Sequence, residues 1–282
     1  MDVTVTYIGG PTALIEIGGL RLLTDPTFDP EGTDYRFAQY TLRKLSAPAL
    51  DADALGRVDA VLLSHDHHAD NLDQRGRSFL GQVPRVLTTG AGAARLRANA
   101  IGLSPWQSTT LQTPGGDTLE VVATPARHGP ADGDRGPVVG FALRMAASQA
   151  VYLSGDTVWY DGIAEIARRL PVGLAVLFMG AARVRQVTPA HLTFTAAEAV
   201  EAARAFGDAP IVPLHYEGWA HFSESRPDID ATFRAAGLSH RLAWLAPGVA
   251  QAFDVGRPPA ETARTRRAPA HACSAGTTRP PA

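Results

Sequence analysis

Apolar residues in the first third of the chain come in short runs that alternate with polar residues or glycines. Between Val3 and Thr24 these runs are broken by Gly-Gly pairs at 9–10 and 18–19, a pattern that predicts a hairpin of two or three strands. Two buried strands and a short helix are predicted next, at 58–64, 84–89 and 91–100. The chain is therefore expected to start in β-structure and then alternate β and α.

The remaining pattern predicts a second set of strands followed by alternating helices and strands. Apolar runs at 118–126, 138–145 and 150–154 predict consecutive strands of a partly antiparallel sheet. Further strands are predicted at 174–179, 210–214 and 242–246, and helices at 161–170, 195–206 and 228–236. Thr195 and Glu198 form a Thr-x-x-Glu capping box, while Gly207 and Gly237 stand where two of these helices should end.

Composition divides the chain into a folded part and a tail. Of the 282 residues, 45% are hydrophobic and 19% are charged, a balance that lets a globular domain bury a sizeable core. From Arg257 onward, proline and arginine replace bulky apolar residues, so this segment cannot offset its ordering entropy. The sequence predicts one domain over residues 1–256 and a disordered tail over 257–282.

Charge and cysteine content narrow the function. The formal net charge is −2. The tail carries five arginines against one glutamate, so residues 1–256 hold a net −6, which argues against nucleic acid as a partner. The single cysteine, Cys273, lies in the tail, so a metal site in the domain must use His, Asp and Glu. With no signal-like N-terminus and no apolar run of about 20 residues, a cytoplasmic protein without a membrane span is expected.

The segment 64–73 carries the strongest chemical signal. Directly after the predicted strand 58–64 it reads Ser-His-Asp-His-His-Ala-Asp-Asn-Leu-Asp, which places His65, His67, His68 and Asp70 in one loop. Imidazole and carboxylate groups together suit Zn²⁺, Mn²⁺ or Fe²⁺. A solvated surface turn is the alternative for such a cluster on its own. The position of the segment 64–73 at the carboxyl end of a buried strand favours a ligand site over such a turn.

Three further segments place a metal-type side chain just beyond an apolar strand. These residues are His128 in Arg-His-Gly, Asp156 in Ser-Gly-Asp-Thr and His215 in Leu-His-Tyr. Each alone is consistent with a helix cap or a loop residue. Together with the 64–73 cluster they predict one metal site built at strand ends.

This order of motifs resembles the metallo-β-lactamase fold superfamily of metal-dependent hydrolases over roughly residues 3–250. The segments 7–16 and 22–26 further resemble the branch that includes ascorbate-6-phosphate lactonase and the phospholipase D acting on N-acyl phosphatidylethanolamines. The resemblance implies an α/β (α+β) fold, a four-layer αββα sandwich of two mixed sheets flanked by helices. It also implies a hydrolase that uses a metal-bound hydroxide to cleave a lactone or phosphodiester in a small molecule. True β-lactamase activity is not expected, because no export signal is evident.

The resemblance also assigns ligands. A first ion would be held by His65, His67 and His128, and a second by Asp70 and His215, with Asp156 bridging the two. Family members usually read His-x-His-x-Asp-His, whereas this chain is one residue longer and ends in Asn71. Either His67 or His68 can therefore be the second ligand, and one or two ions remain open. Zn²⁺ is the expected ion, with Mn²⁺ or Fe²⁺ as alternatives.

Roles beyond ligation are less defined by the sequence. Asp70 could orient the attacking hydroxide, and His191 resembles a histidine that this branch places near the active site, where it would serve as general acid. Capping or packing is an equal alternative for His191. His221 and His240 have no motif around them and are expected at the surface. The insertion 28–48, rich in aromatic and basic residues, could border a cleft or form a solvated cover, and the cover is slightly favoured.

Two other functional classes stay open at this point. Because of Asn71, the chain could be a metal-binding relative with an impaired site and a non-enzymatic role. A nucleic-acid phosphodiesterase is the other alternative, since the superfamily includes such enzymes, although the charge of residues 1–256 argues against it. The oligomeric state cannot be read from the sequence.

Overall fold

The computed structural model describes residues 1–146 and 148–256, which contain fifteen β-strands and five α-helices. The strands are β1 (Asp2–Gly9), β2 (Thr12–Ile17), β3 (Leu20–Thr24), β4 (Asp34–Arg36), β5 (Thr41–Arg43), β6 (Ala60–Leu62), β7 (Val86–Thr89), β8 (Ala100–Leu103), β9 (Ser108–Gln112), β10 (Thr118–Pro125), β11 (Val139–Met145), β12 (Ala150–Leu153), β13 (Val172–Phe178), β14 (Ile211–Leu214) and β15 (Ala250–Asp254). The helices are α1 (Gln74–Phe79), α2 (Gly90–Leu96), α3 (Asp161–Arg169), α4 (Ala196–Ala205) and α5 (Arg226–Ala235). The predicted tail, 257–282, lies outside the described residues.

The first sheet starts from the three strands that the Gly-Gly pairs delimit. β1, β2 and β3 pair antiparallel in sequence order, with Gly10 and Gly18 at positive φ angles of 55° and 57° in the two turns. Strands β6, β7 and β8 then add parallel to β3, and β15 pairs antiparallel with β1 at the opposite edge. Across the described residues the order is β15-β1-β2-β3-β6-β7-β8, so the sheet is mixed.

The second sheet has the order β14-β13-β12-β11-β10-β9 within the described part of the chain. Strands β9 to β12 pair antiparallel, and β12 to β14 pair parallel, which confirms the predicted partly antiparallel arrangement. β10 and β12 both run antiparallel to β11, and β14 runs parallel to β12 through β13. The three strands β10, β12 and β14 therefore point the same way. Their carboxyl ends therefore meet at one edge of the sheet.

Apolar clusters show how the layers stack. The main core lies between the sheets, where Leu22 and Leu62 of the first are in the same buried cluster as Leu143 and Val176 of the second. The outer face of the second sheet is covered by α3, α4 and α5, and that of the first by α1 and neighbouring turns, through residues such as Ile163, Ile166, Val200, Phe233, Phe79 and Leu80. The predicted four-layer sandwich of two mixed sheets with outer helices is confirmed.

Helix ends follow the sequence signals closely. The Thr195 hydroxyl accepts from the Glu198 amide at 3.1 Å, and the Glu198 carboxylate accepts from the Thr195 amide at 3.0 Å, which is the predicted capping box at the start of α4. Gly207 and Gly237 follow the last residues of α4 and α5 with φ angles of 60° and 73°. No helix within the described residues is both long and apolar enough to cross a membrane.

The prediction of a strand at 242–246 is wrong. This segment makes a single bridge, between Leu242 and Ile211, and its apolar side chains serve to cover the core rather than to join a sheet. The strand that does occur near this end is β15, which is mostly exposed and lacks an apolar run. Short strands β4, β5, β8 and β9 and helix α1 were also not predicted.

Candidate metal centre

The predicted metal-type residues converge at the edge where strands of both sheets end. His65 lies three residues after β6, and His128 lies three residues after β10. Asp156 and His215 follow β12 and β14, which end at the same edge as β10. The side chains of all four are almost fully buried, with residue exposures of 3% or less. The juxtaposition predicted from strand ends is therefore present in the structure.

Three imidazoles form the first group of donors. His68 Nδ1 lies 2.9 Å from His65 Nε2 and 3.1 Å from His128 Nε2. On the far side of each of the outer rings a hydrogen bond fixes the orientation: His65 Nδ1 is 2.9 Å from the Ser64 hydroxyl, and His128 Nδ1 donates to the Leu192 carbonyl at 2.8 Å. Such outer hydrogen bonds are those that keep the inner nitrogen of a metal-binding histidine available.

His67 is turned in a different direction from His68. Its Nε2 donates to the carbonyl of Arg135 at 2.8 Å, and its ring lies so close to Gly136 that a Cβ there would be 2.9 Å from Nε2. The ring is still within 4.8 Å of donors from His65 and His68, so both adjacent histidines are near the centre. The contact to both His65 and His128 is made by His68, whereas His67 anchors the loop around Arg135.

Two carboxylates and one imidazole form the second group of donors. His215 Nε2 lies 3.5 Å from Asp70 Oδ2 and 3.5 Å from Asp156 Oδ1. The other oxygen of Asp156, Oδ2, is 3.6 Å from His128 Nε2, which belongs to the first group. Asp156 therefore stands between the two groups, with one oxygen near each of them.

Local backbone geometry places the last two of these side chains. Gly155 has a φ of +59°, and a Cβ at this position would lie 2.8 Å from the Cβ of Ser64, so the glycine lets the Asp156 turn approach the His65 loop. His215 itself has a φ of +53°, an unfavourable angle for a residue with a side chain, and its amide donates to the Gly10 carbonyl at 2.8 Å. Left-handed non-glycine residues of this kind are concentrated at functional sites.

Burial and the charges of neighbouring groups shift the pKa values of several donors. Burial lowers the pKa of His65 well below its usual value and that of His68 to about 3, so both rings are neutral and available as ligands. Burial also raises the pKa of Asp25, beneath the site, to about 8. Although burial opposes its charged form, His215 has its pKa raised to about 10 by Asp156 and Asp70. A divalent ion bound to these donors would take the place of the His215 proton as the positive partner of the buried carboxylates.

The spacing of the donors also fits metal ions. In a tetrahedral shell with bonds of about 2.1 Å, ligand atoms lie about 3.4 Å apart. Separations within the two groups run from 2.9 to 3.5 Å, and Asp156 joins them at 3.6 Å. His215 Nδ1 and Nε2 both lack a hydrogen-bond partner among the described residues, although the ring is fully buried. Donor type, spacing and unpaired nitrogens all fit two adjacent divalent ions.

Two of the three aspartates in the 64–73 segment support the loop instead of facing the centre. Asp66 forms a two-pronged ion pair with Arg95, and its carbonyl accepts from Arg77 at 2.7 Å. Asp73 caps α1 and forms a buried ion pair with Lys44, at 3.0 Å from the ammonium nitrogen. Lys44, the only lysine in the chain, is therefore not available to a substrate as a cleft-lining basic group.

His191 does not reach the centre. Its Nε2 lies 3.0 Å from the Glu198 carboxylate, and the hydrogen bond to Glu198 raises the pKa of His191. The residue is not among those that line the cavity over the metal centre in the described structure. This placement favours the packing alternative at the start of α4 over the general-acid role.

His221 is a residue of the site that the sequence did not reveal. The prediction that it lies at the surface is wrong, since its side chain is 8% exposed and its Nε2 is 2.9 Å from Asp70 Oδ2. It lies six residues beyond His215 in a loop without a recognisable ligand motif. The available signals were indirect: aromatic neighbours in Gly-Trp-Ala-His-Phe, and the missing histidine at position 71.

A cavity of about 230 Å³ opens onto the donors. It is lined by Gln39, Tyr40, Leu42, His68, Asp70, His128, Arg135, Ala182, Val184, Val187, Leu192 and His221. Three of these residues come from the insertion 28–48, so the insertion borders the cleft, the less favoured of its two predicted placements. The walls are mostly apolar, and Arg135 is the one permanently charged cation among the lining residues described.

The part of the chain that carries the donors from His65 to His215 is also similar to known proteins. Residues 20–216 match the family model described as a beta-lactamase superfamily domain. A UPF0173 metal-dependent hydrolase of Pyrobaculum aerophilum is 24% identical over 237 residues, 82% of this chain and 92% of that protein. The N-acyl-phosphatidylethanolamine-hydrolyzing phospholipase D 1 of Caenorhabditis elegans is 26% identical over 204 residues, 66% of this chain and 56% of that protein.

Solved structures share the fold. An isothiocyanate hydrolase from Delia radicum gut bacteria superposes with a TM-score of 0.77 at 22% identity, over 89% of this chain and 99% of that one. The diiron β-hydroxylase CmlA of Streptomyces venezuelae superposes with a TM-score of 0.63 at 16% identity, over 89% of this chain and 54% of that one. At these identities the likeness establishes the architecture.

Proposed function

The chain belongs to the β-lactamase superfamily as a metal-dependent hydrolase, and we propose that it cleaves an ester-type bond, in a lactone or a phosphodiester, of a small molecule. The observation that carries the proposal is the pair of donor groups joined by Asp156, of which His68, His128 and Asp70 line the cavity. The phospholipase relative in Caenorhabditis elegans supports the phosphodiester alternative by its name. The resemblance noted in the sequence to the superfamily and to that phospholipase is confirmed.

In this proposal the centre holds two ions, with Zn²⁺ expected and Mn²⁺ or Fe²⁺ as alternatives. His65, His68 and His128 would hold the first, Asp70 and His215 would hold the second, and Asp156 would be shared between them. Ions bound in this way lower the pKa of water from 15.7 toward about 7 and so supply a nucleophile at neutral pH. Burial alone would raise the pKa of Asp70, but His221 and His215 hold it well below its usual range. As a carboxylate, Asp70 would also orient a water molecule for attack.

The cavity suggests a small substrate with one apolar and one polar end. Its volume of about 230 Å³ lies below the range of about 300–1,000 Å³ that is usual for drug-sized ligands. Val184, Val187 and Leu192 offer an apolar wall. Arg135 donates to the Val187 carbonyl at 3.1 Å, and its Nε has no partner among the described residues, so the guanidinium can bind an anionic group.

The proposal is tested by metal analysis together with turnover. Purified protein is reconstituted separately with Zn²⁺, Mn²⁺ and Fe²⁺, and its bound metal is counted. Hydrolysis is then measured with bis(4-nitrophenyl) phosphate, an aryl-substituted lactone and an aryl isothiocyanate. We expect about two ions per chain and turnover of the phosphodiester or the lactone. Less than about one ion per chain, with no turnover of any probe, would exclude the hydrolase function. Turnover of the isothiocyanate alone would exclude an ester-type bond as the bond that is cleaved.

Arg135→Ala is expected to lower kcat/KM for the anionic phosphodiester by about 10- to 100-fold, since hydrogen bonds to charged groups contribute about 1.5–3 kcal/mol. The neutral lactone should lose less than about threefold. Arg135→Lys should restore part of the phosphodiester rate, because it keeps the charge without the planar fork. Arg185→Ala is the matched control, as Arg185 is exposed on the connection that carries Val184 and Val187. Equal losses for the charged and neutral substrates would contradict a role in binding the anion.

A further inference from the structure

The second donor group has a gap where the family motif ends. Asn71 stands in place of the last histidine and is fully buried. Its amide nitrogen donates to Asp156 Oδ1 at 3.3 Å and faces Asp25 Oδ2 at 3.5 Å. The side chain therefore links two carboxylates from below. Because this side chain is an amide, the position supplies no imidazole to the second ion.

An imidazole from a different loop lies at the same donor group. His221 Nε2 is 2.9 Å from Asp70 Oδ2, and its side chain is 92% buried, the complement of its 8% exposure. The ring lines the cavity beside His68 and Asp70. Its Nδ1 has no hydrogen-bond partner among the described residues. The ring is therefore held in the centre by its single contact with Asp70 and by packing.

Backbone hydrogen bonds hold the chain on both sides of His221. The carbonyl of His221 accepts from the Arg183 amide at 2.8 Å, and the neighbouring Ala220 amide donates to the Arg43 carbonyl at 3.0 Å. Two residues on, the Ser223 amide donates to the Gly180 carbonyl at 2.9 Å. Phe222 packs against the ring, with centroids 4.8 Å apart. A ring positioned from two directions matches what a metal ligand requires.

We propose that His221 is the third protein ligand of the second metal ion beside Asp70 and His215, replacing the imidazole that the sequence lacks at position 71. The inference rests on the proposed function, because it requires the two-ion centre. The separation of 2.9 Å from Asp70 Oδ2 falls in the same range as the other donor separations in the centre. With Asp156 as the bridge, the protein would then offer the second ion two imidazoles and two carboxylates, the mixed nitrogen and oxygen donors that zinc takes in proteins.

The decisive measurement is the number and affinity of bound ions rather than turnover. Wild-type, His221→Ala and His221→Gln proteins are stripped of metal and titrated with Zn²⁺ in competition with a chromophoric chelator. Loss of an outer-shell partner weakens metal binding by about 10- to 100-fold, so loss of a direct ligand should weaken the second ion by more than about 100-fold. The first ion should be unaffected, and its retention shows that the variants are folded. His240→Ala, at an exposed histidine, is the matched control.

A compensating variant separates ligation from mere support of Asp70. Asn71→His combined with His221→Ala returns an imidazole to the motif position, and it should recover the second ion at least tenfold relative to His221→Ala alone. A second ion that binds to His221→Ala and His221→Gln within about tenfold of wild type would overturn the proposal. Wild type holding one ion only would also overturn it while leaving the hydrolase function intact, and wild type holding none would defeat both.

Discussion

Replacing Asp156 with alanine is expected to reduce kcat/KM by more than about 100-fold and to lower the metal content to one ion or fewer. The magnitude follows because removal of an outer-shell partner alone costs about 10- to 100-fold, and Asp156 would be a direct ligand of both ions. Its two oxygens lie 3.6 Å from His128 Nε2 and 3.5 Å from His215 Nε2, one in each donor group. Loss of this carboxylate therefore affects both halves of the centre.

The measurement combines steady-state kinetics, metal counting and circular dichroism on the same preparation. Asp161→Asn is the matched control, since Asp161 is an exposed carboxylate five residues further on, at the start of α3. Burial opposes ionisation of Asp156, but His215 and His128 hold its pKa below the usual range, so the wild-type group is a carboxylate at neutral pH. A folded Asp156→Ala protein with activity within tenfold of wild type would show that the carboxylate does not bridge the centre.

The adjacent histidines of the 64–73 segment are expected to respond very differently to substitution. His68→Ala should lose the first ion and more than about 100-fold in kcat/KM, because His68 Nδ1 contacts both His65 and His128. His67→Ala should keep both ions and lose less than about tenfold, because its Nε2 is committed to the Arg135 carbonyl. The pair of variants decides which histidine occupies the second ligand position, a choice that the sequence leaves open.

Metal counting and kcat/KM check this contrast on variants made in parallel. His67→Ala has an expected secondary effect, a raised KM for the anionic substrate, because the loop that carries Arg135 loses its anchor. The two variants therefore differ in which quantity changes, the metal content or the KM, as well as in the size of the loss of activity. Loss of the first ion in His67→Ala with retention in His68→Ala would reverse the assignment and make His67 the ligand.

The strands that the sequence predicted well are the buried ones with continuous apolar runs, such as β10 and β13. Those it missed are short or exposed edge strands, where side-chain burial leaves no periodic signal: four of the five residues of β9 and all five of β15 are partly or fully exposed. The error at 242–246 has the opposite cause. There the residues are apolar because they cover the core, and burial alone does not specify a strand.

The sequence predicted those residues of the site that directly follow a strand. His65, His128, Asp156 and His215 each follow a strand, and parallel strands deliver such residues to one edge. His221 could not be found this way, because tertiary hydrogen bonds to distant loops, and not a strand, bring it to Asp70. The resemblance supplied the ligand set, but the extra residue in the motif hid which of two histidines faces inward.

The hairpin β4–β5 limits how this protein can evolve or be engineered. The segment just before β5 and β5 itself, at Gln39, Tyr40 and Leu42, form a wall of the cavity. The next two residues reach the catalytic loops, as the Arg43 carbonyl holds Ala220 and Lys44 forms the ion pair with Asp73. Replacement of this hairpin is therefore expected to change the cavity wall and the loop that carries His221 together, whereas point changes at Gln39, Tyr40 or Leu42 would alter the wall alone.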